Sequence, residues 1–407
     1  MSPNASPSPA RHASSPSLPR PLRVGLVGWG SASQVFHAPL ISTTPGLELV
    51  GVVCRRAEVG LAARSVLGEA VQVHAEPQAL FERGDIDLVV IPTPNDSHHP
   101  LALAALRAGK AVVVDKPFAL DAAQARELIE EAERRQLLLS VFHNRRWDGD
   151  LLTARALLRS ARLGRIVHAS LHFDRYRPVV PARWREAGGP GSGLWMDLGP
   201  HLLDQALQLF GAPVAITADL LRLRDGAVAD DGFHARLRWA DGLRVDLHAS
   251  TLAAQPGPRF ALHGTRGSWV KHGLDRQEDD LKAGRRPDPA QPAAWGQDPS
   301  AGRLVTAADP QAPSPATVAQ AWPTERGDYP AYYAGIRDAL LGRGPNPVPA
   351  REALAVMALL DLGRRSALER RELPCPASGD AAPSPAASSI TASSHTTPEH
   401  QPNCRPC

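Results

Sequence analysis

The chain has 407 residues, enough for two domains of ordinary size, with 43% hydrophobic and 21% charged residues and a net charge of +3. Arginines interleaved with acids form no basic stripe for nucleic acid, and no apolar run is long enough to span a bilayer. Those limits leave a globular protein that is expected to have neither nucleic acid nor membrane as a partner.

Residues 1–21, "MSPNASPSPARHASSPSLPRP", and residues 374–407 are rich in Pro and Ser without apolar periodicity. Both read as disordered tails. The first carries arginines and no acid, as transit peptides do, but it has no apolar signal core and its prolines oppose an amphipathic helix. Three of four cysteines (Cys375, Cys404, Cys407) fall in the second tail, leaving Cys54 alone in the body. No disulfide framework is available there, so a reducing, cytoplasmic setting is expected. The terminal "CRPC" has metal-like spacing but no second ligand pair.

The run Val24 to Val27 reads as a buried parallel strand. Gly28, Gly30 and Ser33 follow as G-x-G-x-x-small, opening a helical stretch before a second strand, "LELVGVV". In this setting the first glycine permits a tight turn, the second lets backbone approach a pyrophosphate, and the helix start supplies N–H donors. At the end of the second strand stand Cys54, Arg55 and Arg56, with no acid until Glu58. An acid there would hold the ribose hydroxyls of NAD, whereas guanidinium groups pair with a 2′-phosphate. The expected cofactor is therefore NADP, with NAD as the alternative.

The alternation continues through "DLVVIPTP", "HHPLALAALRAG", "KAVVVDKP", "LDAAQARELIEEAERRQ" and "LLLSVF", where Asp121 and Gln124 suggest a capping box. Such alternation predicts a dinucleotide-binding parallel sheet over 22–143, with ligands beyond its strands' carboxyl ends. Two polar clusters fall there, "TPNDSHH" and "DKP". Pro117 keeps Lys116 extended at that crevice.

Beyond it, "RIVHASLHFDRY", "VAITADLLRL", "DGFHARLRWA", "LRVDLHAST" and "RFALHG" read as successive strands of a second domain over 144–373. Residues 288–324, rich in Pro, Ala and Gln, are expected to be an exposed, mobile insertion anchored by Trp295. Within "MDLGPHLLDQA", Asp197 and His201 share a helix face. Extended by Gln205 and Gln208, that face suits a solvated stripe, a catalytic pair, or two metal ligands. The metal alternative lacks further ligands, since His37, His98, His99, His143 and His172 form no pattern with the pair, and no metal is expected. Pro200 places the helix start near His201, and "GGPGSG" (188–193) reads as a flexible approach. Asn144, Arg145, Asp174, Arg175 and Tyr176 sit at presumed strand ends, as contacts for polyol hydroxyls or as domain-interface groups.

Taken in order, "GxGxxS", "TPNDSHHPLALAALRAGKAVVVDKP" and "DLGPHLLDQ" resemble the Gfo/Idh/MocA family of sugar and cyclitol oxidoreductases, over Leu22 to Pro374. Asp115 stands where that family usually has Glu. "SVFHNRRWDGDLLT", "RWREAGGPGSGLWMDLGPHLLDQALQLFGAP" and "YPAYYAGIRDAL" look like the branch containing NADP-dependent scyllo-inositol 2-dehydrogenases. The resemblance implies an α/β protein with an N-terminal Rossmann domain and a C-terminal α/β domain on a large, mostly antiparallel sheet. It implies Lys116, Asp197 and His201 as the catalytic set, and Thr93, Pro94, Asn95 and His98 beside the nicotinamide, with Lys116 also in the cofactor site. A homodimer or homotetramer acting on a cyclitol or sugar follows from the same likeness. A cofactor-binding sensor, or an aldose dehydrogenase on this fold, are the alternatives; a sensor would be expected to lack Lys116 or His201.

Overall fold

The computed structural model describes residues 20–309 and 311–376, so nearly all of both expected tails, with Cys404 and Cys407, lies outside the described residues. Six parallel strands form the first sheet: β1 (Leu22–Val27), β2 (Leu47–Val53), β3 (Gln72–His74), β4 (Leu88–Ile91), β5 (Ala111–Asp115) and β6 (Leu139–Phe142). Their order is β3-β2-β1-β4-β5-β6. The central strands are near-continuous Val, Ile and Leu because both faces are covered, by α1 (Ala38–Ser42), α2 (Ala57–Leu67), α3 (Pro77–Phe81), α4 (His98–Arg107) and α5 (Ala122–Arg135). The order reverses between β1 and β4, which opens a crevice at their carboxyl ends. α5 starts as its sequence predicts: Asp121 accepts from the Gln124 amide at 2.9 Å, while Gln124 Oε1 accepts from the Leu120 amide at 3.2 Å.

After α6 (Gly149–Arg159), nine strands build a second sheet. They are β7 (Ile166–His172), β8 (Ala215–Leu221), β9 (Gly232–Arg238), β10 (Arg244–Ser250), β11 (Phe260–Gly264), β12 (Gly267–Lys271), β13 (Gly302–Ala307), β14 (Thr317–Trp322) and β15 (Leu373–Pro374). Only the β7–β10 pair is parallel. On β7 to β10 burial alternates along each strand, as it does when one sheet face is packed and the other is open. The packed face lies under α7 (Leu194–Phe210) and α10 (Ala350–Glu369). Trp195, 1% exposed, fixes that layer: its Nε1 donates to the Leu360 carbonyl at 3.0 Å and its ring meets Phe233 edge-on at 4.9 Å. Truncating such a residue costs about 3–5 kcal/mol.

Two expectations are corrected here. Residues 288–324 are not merely an insertion, since β13 and β14 extend the sheet from β12. Their alternating runs are short, and an edge strand needs little burial, so the Pro- and Ala-rich surroundings masked them. Trp295 is buried within this segment, its Nε1 donating to Gln277 Oε1 at 3.0 Å, beside α8 (Gln277–Lys282). Second, α7 begins at Leu194, so Pro200 lies inside it rather than at its start. Asp230 makes the earlier start possible, its carbonyl and carboxylate accepting from the Leu194 and Trp195 amides at 2.8 and 2.6 Å. Gly193 (φ 93°) leaves the room, because a Cβ there would overlap the Asp230 carboxylate.

The chain then returns to the first sheet through α9 (Pro330–Leu340) and α10. Ser140 Oγ lies 3.0 Å from the Tyr332 hydroxyl, and Asp361 accepts from the Ala122 amide at 2.9 Å. Arg146 is held between Asp204 (2.6 and 2.9 Å) and Glu352, so the carboxyl ends of the first sheet are locked against α7. No described helix is long and apolar enough to cross a membrane.

Candidate active site

A cleft of about 350 Å³ runs from Gly30, Ser31 and Ala32 past Pro92, Thr93 and Pro94 to Lys116, Asp197 and His201. At its first end the backbone does the shaping. Gly28 has φ 96°, a region that side chains disfavour, and its amide donates to the Val53 carbonyl at 2.9 Å. Ser33 Oγ donates to the Gly28 carbonyl at 2.8 Å and so ties the helical start to the glycine turn. A Cβ on Gly30 would meet nothing within 4 Å, which leaves open space at the backbone a pyrophosphate must approach. Residues 28–33 therefore fit a dinucleotide. Arg55 and Arg56 are exposed at the end of β2, with Arg56 Nε 3.7 Å from Glu58.

The other end is built from buried charge. Lys116, at the end of β5, donates through Nζ to the Asp197 carboxylate at 2.9 Å and to the Asp197 carbonyl at 2.6 Å. An ammonium has three donors, so one is left to point elsewhere in the cleft. Burial would raise the Asp197 pKa, but Lys116, Arg185 (3.6 Å) and Arg175 (3.8 Å) overcome it and keep the carboxylate ionised. His201, one turn along α7 and 5% exposed, is pushed well below its ordinary pKa by burial first, then by Lys116, Arg145, His143 and Arg175. Its Nδ1 has no hydrogen-bond partner among the described residues. The arrangement thus places a neutral imidazole able to take a proton beside an ammonium able to stabilise developing negative charge.

The other predicted residues divide. Thr93, Asn144, Arg145 and Arg175 line the cleft with the central three. Arg145 is committed as well to Asp148 (3.2 Å) and Glu278 (2.5 Å), and it stacks over Phe173. Asn95 is buried and donates from Nδ2 to the Gly191 carbonyl at 2.8 Å, so it docks the glycine-rich loop onto the first domain. That loop is thereby tethered, not free. His98 is wholly buried, with its nitrogens 2.8 Å from the Pro117 carbonyl and 2.9 Å from that of Thr93; it shapes the backbone behind Lys116 without lining the cleft.

Asp174 and Tyr176 are corrections. Asp174 follows the parity of β7 to the open face of the sheet, beside His172 and His248, while Arg175 turns into the cleft. Tyr176 is 59% exposed at a bridge to Leu252 and does not reach the cleft. Sequence reasoning also passed over Arg185, Trp184 and Glu278, all of which line the cleft. The double aromatic-basic pattern "RWRE" just before the glycine loop was the available signal for the first two. Burial would raise Glu278, but Arg145 and Lys282 hold it down to about 2. Asp115 lies under the site, accepting from the Lys116 amide at 2.7 Å with His37 Nε2 at 3.7 Å.

A parallel sheet with this glycine turn, joined to a helix that presents Asp and His to a strand-end lysine, defines a nicotinamide-dependent oxidoreductase. The chain belongs to the Gfo/Idh/MocA family: its "Oxidoreductase family, NAD-binding Rossmann fold" profile matches residues 22–143, and its "C-terminal alpha/beta domain" profile matches residues 155–375. Oxidoreductase YdgJ of Escherichia coli is 52% identical over 352 residues, covering 86% of this chain and 98% of that one. IolW of Bacillus subtilis, a scyllo-inositol 2-dehydrogenase (NADP(+)), is 34% identical over 354 residues, 86% of this chain and 95% of its own. The solved structure of oxidoreductase YPO2259 from Yersinia pestis superposes with a TM-score of 0.81 at 50% identity, covering 88% of this chain and 98% of that one.

Proposed function

We propose that the protein is an NADP-dependent dehydrogenase acting on a secondary alcohol of a cyclitol or sugar, with scyllo-inositol 2-dehydrogenase chemistry as the leading case. The observation that carries this is the joining of Lys116 to Asp197 at 2.9 Å, one helical turn from the buried His201, within one cleft that continues to the glycine turn.

When bound, nicotinamide supplies the hydride acceptor or donor. The chain's own residues manage the proton and the charge. His201, kept neutral by burial and cationic neighbours, takes the hydroxyl proton as the alcohol becomes a ketone and returns it in reduction. Lys116, held by the carbonyl and one carboxylate oxygen of Asp197, stabilises the alkoxide-like oxygen with its remaining N–H. Asp197 holds Lys116 in place, and Asn144 and Arg175, which line the cleft, would hold neighbouring hydroxyls. Gly28, Gly30 and Ser33 would carry the pyrophosphate turn, with Thr93 beside the nicotinamide. The exposed guanidiniums of Arg55 and Arg56, with no acid at the strand end, support NADP over NAD. The name of IolW supports both substrate class and cofactor. A homodimer or homotetramer belongs to the same reading. So does a cytoplasmic setting, which the free thiols of Cys54 and Cys375 fit.

The test is nicotinamide reduction by the purified protein with NADP or NAD against scyllo-inositol, myo-inositol and a set of aldoses. Turnover of a cyclitol with NADP is expected. Preference for NAD would overturn the role given to Arg55 and Arg56, and an aldose as the better substrate would overturn the cyclitol assignment. Tight cofactor binding with no turnover of any polyol would point to a sensor.

A further inference from the structure

The open face of the second sheet carries a row of imidazoles set by strand register. His172 of β7 stands opposite His248 of β10, and His248 opposite His234 of β9. Residues opposite one another share a face, so three side chains that bind transition metals lie side by side across three strands. Asp174, two residues beyond His172, joins them from just past the end of β7.

The polar atoms of this group converge on one point. One ligand atom each from His172, Asp174 and His248 lies within 4.8 Å of the others. His248 Nδ1 is 2.8 Å and His172 Nδ1 is 3.6 Å from the Asp174 carboxylate. Yet His172 Nδ1, His248 Nδ1 and Asp174 Oδ1 are all buried without a hydrogen bond of good geometry. Asp174 is the telling one, because its side chain is 3% exposed at a sheet face otherwise open to solvent. Its other oxygen is already oriented by the Gly257 amide at 3.0 Å. Gly257 is itself required there, since a Cβ would overlap His172. Buried polar atoms in native proteins are nearly always paired, and these three have only one another, in poorly aligned contacts that a shared cation would replace with ligand bonds. The cluster opens into a cavity of about 710 Å³ lined also by His234 and Asp246, so a small ion has a path in.

We propose that His172, Asp174 and His248 form a binding site for one divalent transition cation of the zinc class. Two imidazoles and one carboxylate, with no thiolate, match Zn²⁺, Ni²⁺ or Co²⁺ in preference to Mg²⁺ or Ca²⁺. Three protein ligands leave a coordination position free, and His234, whose ring is 4.4 Å from that of His248, is the nearest further donor. The ion would tie β7 to β10 at the point where the chain turns Arg175 into the catalytic cleft.

The experiment uses the full-length protein, stripped with EDTA and titrated with Co²⁺ by absorbance and Zn²⁺ by calorimetry. One saturable cation per chain is expected. Loss of an outer-shell partner alone weakens metal sites by about 10–100-fold, so His248→Ala and Asp174→Asn should each weaken binding by more than about tenfold. Circular dichroism checks folding of each variant. Should either fail to fold, X-ray absorption of the zinc-loaded wild type decides: imidazole and oxygen ligands support the site, a sulfur-rich shell overturns it. No saturable binding, which would mean that protons occupy the cluster instead, overturns the proposal. So does binding that survives His248→Ala but is lost in Cys404→Ser/Cys407→Ser.

Discussion

The two ends of the cleft are built by opposite means. At Gly28 and Gly30 the backbone itself is the working surface, and the nearby guanidiniums of Arg55 and Arg56 stand exposed. At the proposed catalytic end, Lys116 and Asp197 are partly buried and His201 is buried, fixed by charges that come from both domains. Each half suits its load. A pyrophosphate needs donors at close range and little else, whereas proton transfer needs groups whose charge states are set in advance. The two ends should therefore fail in different ways.

The largest effect is expected at the buried end. Lys116→Ala should lower kcat about 10²–10³-fold, the usual loss for one preorganised charge-stabilising group, while cofactor affinity by calorimetry changes little. Loss of cofactor binding as well would break the division between the ends. At the glycine end, Gly28→Ala forces a side chain into φ 96° and should raise the cofactor Kd about 5–150-fold through about 1–3 kcal/mol of strain, with kcat at saturating cofactor nearly intact. Arg55→Glu/Arg56→Glu sharpens the comparison further. The NADP Kd should rise about tenfold to a hundredfold, at about 1.5–3 kcal/mol for a charge-assisted bond, with NAD affinity unaffected.

Acidity separates the ends too. In the proposed mechanism His201 would act as a base only when neutral, and burial with neighbouring cations holds its pKa well below 6.5. The acid limb of kcat/KM should therefore fall below pH 6.5, and activity should be retained as pH drops from 8 to 6.5. A limb at or above 6.5 would show that the site does not shield His201. The smallest effect lies away from the cleft: a Cβ at Gly363 would overlap Trp195, so Gly363→Ala should cost about 1–3 kcal/mol and lower Tm by several degrees, without changing KM.

The glycine end was legible in the sequence because everything it needs is local: a strand, two glycines and a helix start within a dozen residues. The lysine and the Asp-His pair were legible as residue types at motif spacing, but their joining was not, since Lys116 and Asp197 lie 81 residues apart. The start of α7 was misjudged because its capping group, Asp230, comes from 35 residues downstream of Trp195. Asp174 could have been placed correctly. Counting by twos from His172 puts it with the histidines and sends Arg175 the other way, and the strand-end reading of "HFDRYRP" ignored that parity. β13 and β14 were lost in a Pro- and Ala-rich context, where short edge strands leave little pattern.

The proposed role of His201 is tested most directly by the steady-state rate of cyclitol oxidation by His201→Ala, measured beside its affinity for NADP. A kcat lower by about 10²–10⁴-fold is expected, the range for a lost general base, with the NADP Kd unchanged. A variant that turns over within a few-fold of wild type would contradict it, because the proton would then leave by another group.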